Sequence, residues 1–181
     1  MKKCTIIFAA LFLITISGCK TDGQQQICQK TNINIYDYIE YYSSHNMVLG
    51  SLYNIKISDA EIAAEKDFMT YMFPISAKFY GETSKLYIDT DTNNNIFCIE
   101  LLLKPESLGL FTSKSELINY LSTVLQGLNV KYTRDFASKY IKQLFITAEN
   151  SDFALTPFDN NWEIYLDISN NMVLFSISKN E

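Results

Sequence analysis

The apolar positions of this chain change period several times, and each change marks an element. From Ile35 the spacing Ile35, Tyr38, Ile39, Tyr42 is that of one helix face. A short strand from Asn32 competes for the same start, because Ile33 and Ile35 also alternate. Ser43-Ser44-His45-Asn46 breaks the pattern. Ser58 with Glu61 has the spacing of a capping box, in which each side chain satisfies a backbone N–H that the first helical turn leaves open. That box predicts a helix from Asp59, carrying Ile62, Met69 and Met72 and ending before Pro74. Strands are expected next. Ile75, Ala77 and Phe79 alternate, Gly81-Glu82-Thr83-Ser84 turns, and Leu86 and Ile88 resume the alternation. Asp91 to Asn95 turns again. Ile96 to Leu103 is apolar on both faces, which suits a central strand, and Pro105 ends it.

Ser113 with Glu116 repeats the capping box ahead of Leu117, Leu121, Val124, Leu125 and Leu128, with Gly127 near the end of that helix. Thr133 can cap another helix carrying Phe136, Tyr140, Ile141, Leu144 and Phe145. The chain then returns to strand patterns at Phe153 to Leu155, Trp162 to Ile168, and Met172 to Ser178. Strands joined by short Asn-rich turns pair antiparallel. The expected fold is α+β: an antiparallel sheet of hairpins with about three to four helices packed on one face. There is also an internal echo. Leu86-Tyr87-Ile88-Asp89 leads to Asn94-Asn95-Ile96, and Tyr165-Leu166-Asp167 leads to Asn170-Asn171-Met172. Two hairpins of one design can mark a duplicated unit, and chance accounts for the echo equally well.

The first residues follow different rules. Lys2 and Lys3 precede an apolar run from Thr5 to Ile16, shorter than the roughly 20 residues of a spanning helix. Its length and flanks are those of a signal-peptide core. It ends in Ile16-Ser17-Gly18-Cys19, which resembles the lipobox of bacterial lipoproteins. The resemblance implies export, cleavage before Cys19, and acylation of that cysteine with diacylglycerol and often a further chain such as palmitate. Each buried methylene adds about 0.8 kcal/mol of membrane affinity, so two or three chains anchor firmly. Lys20 follows, not an acid; by resemblance to enterobacterial lipoproteins this implies the outer membrane, facing the periplasm. Cys4 falls in the leader. The expected organisation is a signal peptide over 1–18, a lipidated cysteine and polar tether over 19–31, and one α+β domain over 32–181.

Charge sharpens this picture. Fifteen Lys and Arg face twenty Asp and Glu, a net charge of −5, and removing the two leader lysines brings the mature part to −7. Such a surface repels nucleic acid and favours basic protein partners or cations. Tyrosine is abundant, and Tyr36, Tyr38, Tyr41 and Tyr42 form the densest cluster, which makes them partner-binding candidates wherever they are exposed. The alternative is a helix that packs some of these rings into the core. Cys28 and Cys98 would share an oxidising compartment and form a candidate disulfide; two free thiols are the alternative.

Motif chemistry is sparse. Asp89, Asp91, Asn93, Asn95 and Glu100 have the spacing of a calcium loop. Asn94 stands where such loops place glycine, and the flanks are poor helices, so an Asn-rich turn between strands is the favoured reading and no metal is favoured. His45 has no Cys or Asp arrangement beside it in sequence. No nucleophile elbow, phosphate loop or Cys-x-x-Cys is present. The expectation is a membrane-tethered binding module and not an enzyme, most concretely an immunity or inhibitor lipoprotein acting on a toxin or hydrolase. An accessory subunit of an envelope, secretion or pilus complex is the alternative, followed by a calcium-binding or hydrolytic lipoprotein.

Overall fold

Two hydroxyl caps and one tyrosine stripe organise the helices. In a computed structural model, helix α1 (Ile35–His45) buries Ile35, Tyr38, Ile39 and Tyr42, the positions that the helical spacing selects. Helix α2 (Lys114–Gln126) begins at Ser113, whose Oγ accepts from the Glu116 N–H at 3.3 Å. Helix α3 (Arg134–Ser151) begins at Thr133, whose Oγ1 accepts from the Phe136 N–H at 3.2 Å. Such a cap satisfies a donor that the first turn cannot, a contribution of about 1 kcal/mol. The structure describes residues 33–45, 55–75, 84–104, 108, 111, 113–128, 132–158 and 162–180.

Among the described residues seven strands form one sheet: β1 (Glu61–Ala64), β2 (Phe68–Ile75), β3 (Ser84–Asp91), β4 (Ile96–Leu103), β5 (Phe153–Phe158), β6 (Trp162–Asp167) and β7 (Val173–Lys179). Their spatial order is β1-β2-β3-β4-β7-β6-β5, and every neighbouring pair is antiparallel. The chain is α+β. The apolar run Ile96–Leu103 occupies the middle position, where both edges of the strand are paired.

The helix expected from Asp59 does not form. A single 3-10 turn spans Ile57–Asp59, and the following residues build β1 and β2. Asp59 closes that turn, with its Oδ2 accepting from the Lys56 N–H at 3.0 Å. Tyr71, Phe73 and Ile75 then alternate into the core with period two, and pairing of β2 to β3 over eight residues outweighs the helix preference of Glu61-Ile62-Ala63-Ala64. Ile75 ends β2; Ala77, Phe79 and the expected turn at 81–83 lie outside the described residues, as does Pro105. The competing strand at Asn32 reduces to one isolated bridge, Asn34 with Asn95.

Residues of the strands and of the helices share one hydrophobic core. Leu86, Ile88, Leu101, Ile164, Leu166, Phe175 and Ile177 from the strands join Leu121, Val124, Leu125 and Ile141 from α2 and α3 in one buried cluster. Full burial of each such side chain stabilises the fold by about 1.5–3 kcal/mol before chain entropy is counted. Alternate residues of β3, β6 and β7 point the other way and are half-buried.

The internal echo is realised in the topology. The meander β2-β3-β4 and the meander β5-β6-β7 occupy the two halves of the sheet in mirrored order, joined along β4 and β7. Met72 pairs with Tyr87 and Tyr87 with Glu100; Leu155 pairs with Tyr165 and Tyr165 with Ser176. Glu100 and Ser176 then pair with each other. An approximate two-fold relation therefore passes through that last pair. Both hairpin turns carry an asparagine in the left-handed region, Asn94 at φ 63° and Asn171 at φ 57°. Asn tolerates that conformation better than other side chains do.

Candidate functional site

The half-buried face of the sheet carries the surface chemistry of the described residues. Strand register lays its side chains out in rows. One row runs Thr70, Asp89, Cys98, Ser178, Glu163, Pro157. The central row runs Met72, Tyr87, Glu100, Ser176, Tyr165, Leu155. The third runs Pro74, Lys85, Leu102, Leu174, Asp167, Phe153. Among the described residues of these rows, Asp89, Glu100, Glu163 and Asp167 supply negative charge and Lys85 positive charge, and Glu61 extends the central row beyond Met72. Two tyrosines flank the centre at equivalent positions of the two meanders.

Packing sets the electrostatics. Burial raises the Glu100 carboxyl above its ordinary range, and the Asp89 charge raises it further. Burial likewise raises Asp89, partly offset by the Thr70 hydroxyl, which donates to Asp89 Oδ1 at 2.6 Å. On the other meander, burial raises Asp167, but the backbone and side chain of Ser169 and the Tyr165 hydroxyl more than reverse that. Tyr165 donates to Asp167 Oδ2 at 3.1 Å, and the Ser169 N–H donates to Oδ1 at 2.7 Å. Tyr165 also stacks on Phe153, ring centroids 6.1 Å apart. At the sheet edge, Phe153 and Leu155 are 51% and 57% exposed, well beyond what a core strand leaves in water.

The tyrosine cluster divides. Tyr38 and Tyr42 are core residues and cannot touch a partner. The Tyr38 hydroxyl donates to the Val124 carbonyl at 3.1 Å, and the Tyr42 and Tyr120 hydroxyls share a hydrogen bond of 2.6 Å. Tyr36 is exposed and Tyr41 is half-buried, so of the four candidates these two remain. His45 stacks on Tyr41 at 4.0 Å, with its Nδ1 near the Tyr41 carbonyl and the Ser44 hydroxyl, which gives it a place at a helix end.

The calcium-spaced residues lie on a strand, a turn and a second strand. Asp91 is occupied by the turn: its Oδ1 accepts from the N–H of Asn93 and of Asn95, and its Oδ2 from the Asn95 side chain, all within 2.9 Å. Asn93 is exposed at the turn, and Asp89 and Glu100 sit back on the sheet face in different rows. Among the described residues no three His, Cys, Asp or Glu side chains converge as metal ligands. Cys98 is buried on β4. Cys19 and Cys28 lie outside the described residues, so the lipidation site and the disulfide candidate do too.

A groove of about 330 Å³ lies where α2 begins, lined by Leu108, Phe111, Leu117, Phe145 and Met172. The charges at its mouth, Lys114 and Glu149, pair with each other at 2.5 Å. No described helix is long and apolar enough to cross a membrane. Comparison with protein-family models, with curated proteins and with solved structures finds no match.

Of this face the sequence singled out Asp89 and Glu100, through their calcium-loop spacing, but not its tyrosines or its exposed edge. Tyr87 and Tyr165 are visible in the echo as repeated positions, and that repetition was the available signal. Phe153 and Leu155 gave none, because Phe153-Ala154-Leu155 is apolar at both parities and only an edge position exposes one of them.

Proposed function

We propose that this chain is a membrane-tethered binding module, held by lipid on Cys19, whose domain neutralises a basic toxin or hydrolase that reaches the cell envelope. In this reading the helices lie together against the buried face of the sheet and the opposite face meets the partner. The observation that carries it is the composition of that face among the described residues: tyrosines and carboxylates that outnumber Lys85, with exposed Phe153 and Leu155 at its margin. Aromatic anchors set among charges of one sign are what a specific protein interface uses, the rings for affinity and the field for encounter rate.

Lipid anchorage gives the face its location. The polar stretch 20–31 would let the domain reach proteins near the membrane surface. The test is capture from an envelope extract by the purified chain, followed by the same capture with Tyr87→Ala and Tyr165→Ala together. A basic protein retained by the native chain and lost from the variant supports the reading. A partner retained equally by both places binding elsewhere and sinks it.

A further inference from the structure

We infer that the outer edge of β5 is an acceptor site for an extended, basic segment of a partner protein, which would pair with it as an additional strand. The approximate two-fold relation places β2 and β5 at equivalent positions, yet the two strands are treated differently. The edge of β2 is covered by β1, which pairs with it from Met69 to Met72. Among the described residues no strand pairs with the edge of β5.

The backbone groups at that edge can be assigned. Ile168 donates to the Asp152 carbonyl at 3.1 Å, so even-numbered residues of β5 bond to β6 and odd-numbered ones face outward. Two hydroxyls mark the outward carbonyls: Ser151 donates to Phe153 O at 2.8 Å and Tyr140 donates to Pro157 O at 2.6 Å. Between them Leu155 presents both its N–H and its C=O to the edge, and its side chain is 57% exposed. The site is short and bounded: a serine at one end, and at the other a tyrosine with Pro157, which has no N–H to give. Main-chain pairing of this kind supplies affinity, and the side chains beside it choose the partner.

Charge names the occupant. On the half-buried face beside this edge stand Glu163 and Asp167, and no basic residue of β5 or β6 joins them there. An incoming strand whose side chains on that face are Lys or Arg, alternating with small apolar residues, fits; a second copy of this acidic chain does not. The inference rests on reading the domain as a binding module, but its test needs no envelope partner, so the two can fail separately.

The experiment uses the full chain and two short capped peptides, one alternating lysine and valine, the other glutamate and valine. The Lys-Val peptide should slow hydrogen exchange at the Leu155 amide, and the Glu-Val peptide should bind about tenfold more weakly or worse. Leu155→Pro removes the edge donor at a position that makes no bond to β6 and should abolish the slowing. Leu155→Lys, which keeps the backbone donor, should reverse the preference between the peptides. Equal binding of both peptides, or Lys-Val binding that leaves the Leu155 amide unprotected, would overturn the inference. So would Leu155 exchange that slows with protein concentration alone, because the occupant would then be a second copy.

Discussion

Glu100 on β4 sits directly opposite Ser176 on β7, at the point where the two meanders meet. The Glu100 carboxyl is held above its ordinary range by burial first and by Asp89 second. A raised folded-state value means that stability from this group is fully present below the unfolded value and is lost as pH rises through the folded one. Ser176→Glu would set a second carboxylate across from the first. At neutral pH it should destabilise the fold by about 0.2–1 kcal/mol, the usual range for facing pairs. In acid, where both groups are protonated, the loss should vanish. Urea unfolding at the two pH values measures it, and an equal loss at both would show a steric cost and not a charge one.

Asp91 behaves oppositely. Burial pulls it upward, but the Asn95 side chain, the N–H groups of Asn95 and Asn93, and Lys179 bring it below its ordinary range. Its contribution is present above the unfolded value and disappears as pH falls through the depressed one. Asp91→Asn should cost about 1 kcal/mol at neutral pH, since charge-assisted bonds near the surface are discounted by solvent. It should also flatten the acid limb of the stability curve. Asp89→Asn should instead raise stability at neutral pH, because burial raises that carboxyl too. Denaturation midpoints across the acid range check both signs.

Local chemistry made most of the elements legible. Ser113 and Thr133 cap the helices that their positions predict, and the Asp91 turn follows from side-chain oxygens that bind their own backbone. Between Asp59 and Pro74 the spacing predicts a helix and the chain builds strands, for a physical reason. Ser58 and Glu61 have capping spacing, but Asp59 closes the turn within three residues, and nothing local records that β3, starting only at Ser84, pairs with β2. The candidate site was legible only in its acidity and its repeated tyrosines. Which side of a strand faces out, and which strand lies at an edge, is decided by pairing order. The tyrosine cluster shows the same limit: helical spacing placed Tyr38 and Tyr42 on one stripe, and that stripe is the core.

The Tyr42 and Tyr120 hydroxyls, both buried, share one hydrogen bond of 2.6 Å, in which one donates and the other accepts. Removing one oxygen leaves the other without that partner in a low-dielectric site. Tyr42→Phe should therefore destabilise the fold by about 1–3 kcal/mol, the desolvation cost of a stranded hydroxyl. Adding Tyr120→Phe should recover much of that loss. Burial raises the Tyr120 phenol far above its usual range, so it stays protonated throughout and the cost should not vary with pH. A double-mutant cycle from chemical denaturation gives the coupling; strictly additive losses would mean that the pair is not coupled.

Gly127 closes α2 with φ −58° and ψ −22°, a conformation open to any residue, so its backbone does not require glycine. The requirement is space. A Cβ there would lie 2.5 Å from Tyr38 Cε2 and 2.8 Å from Cδ2, with Tyr41 Cδ1 at 3.3 Å. The Tyr38 ring cannot swing away freely, because its hydroxyl is bonded to the Val124 carbonyl and the ring is fully buried. Helix propensity alone would favour Gly127→Ala by up to about 1 kcal/mol. Overpacking against a fixed ring costs about 1–3 kcal/mol, so the substitution should be net destabilising. Tyr38→Leu removes the ring edge that the new methyl would strike. In that background Gly127→Ala should cost much less or become stabilising, although Tyr38→Leu itself lowers stability. Thermal and urea unfolding of the four proteins separates the terms. A Gly127→Ala chain more stable than the native one would show that α1 yields easily and that the contact between Tyr38 and Gly127 does not fix how α1 meets α2.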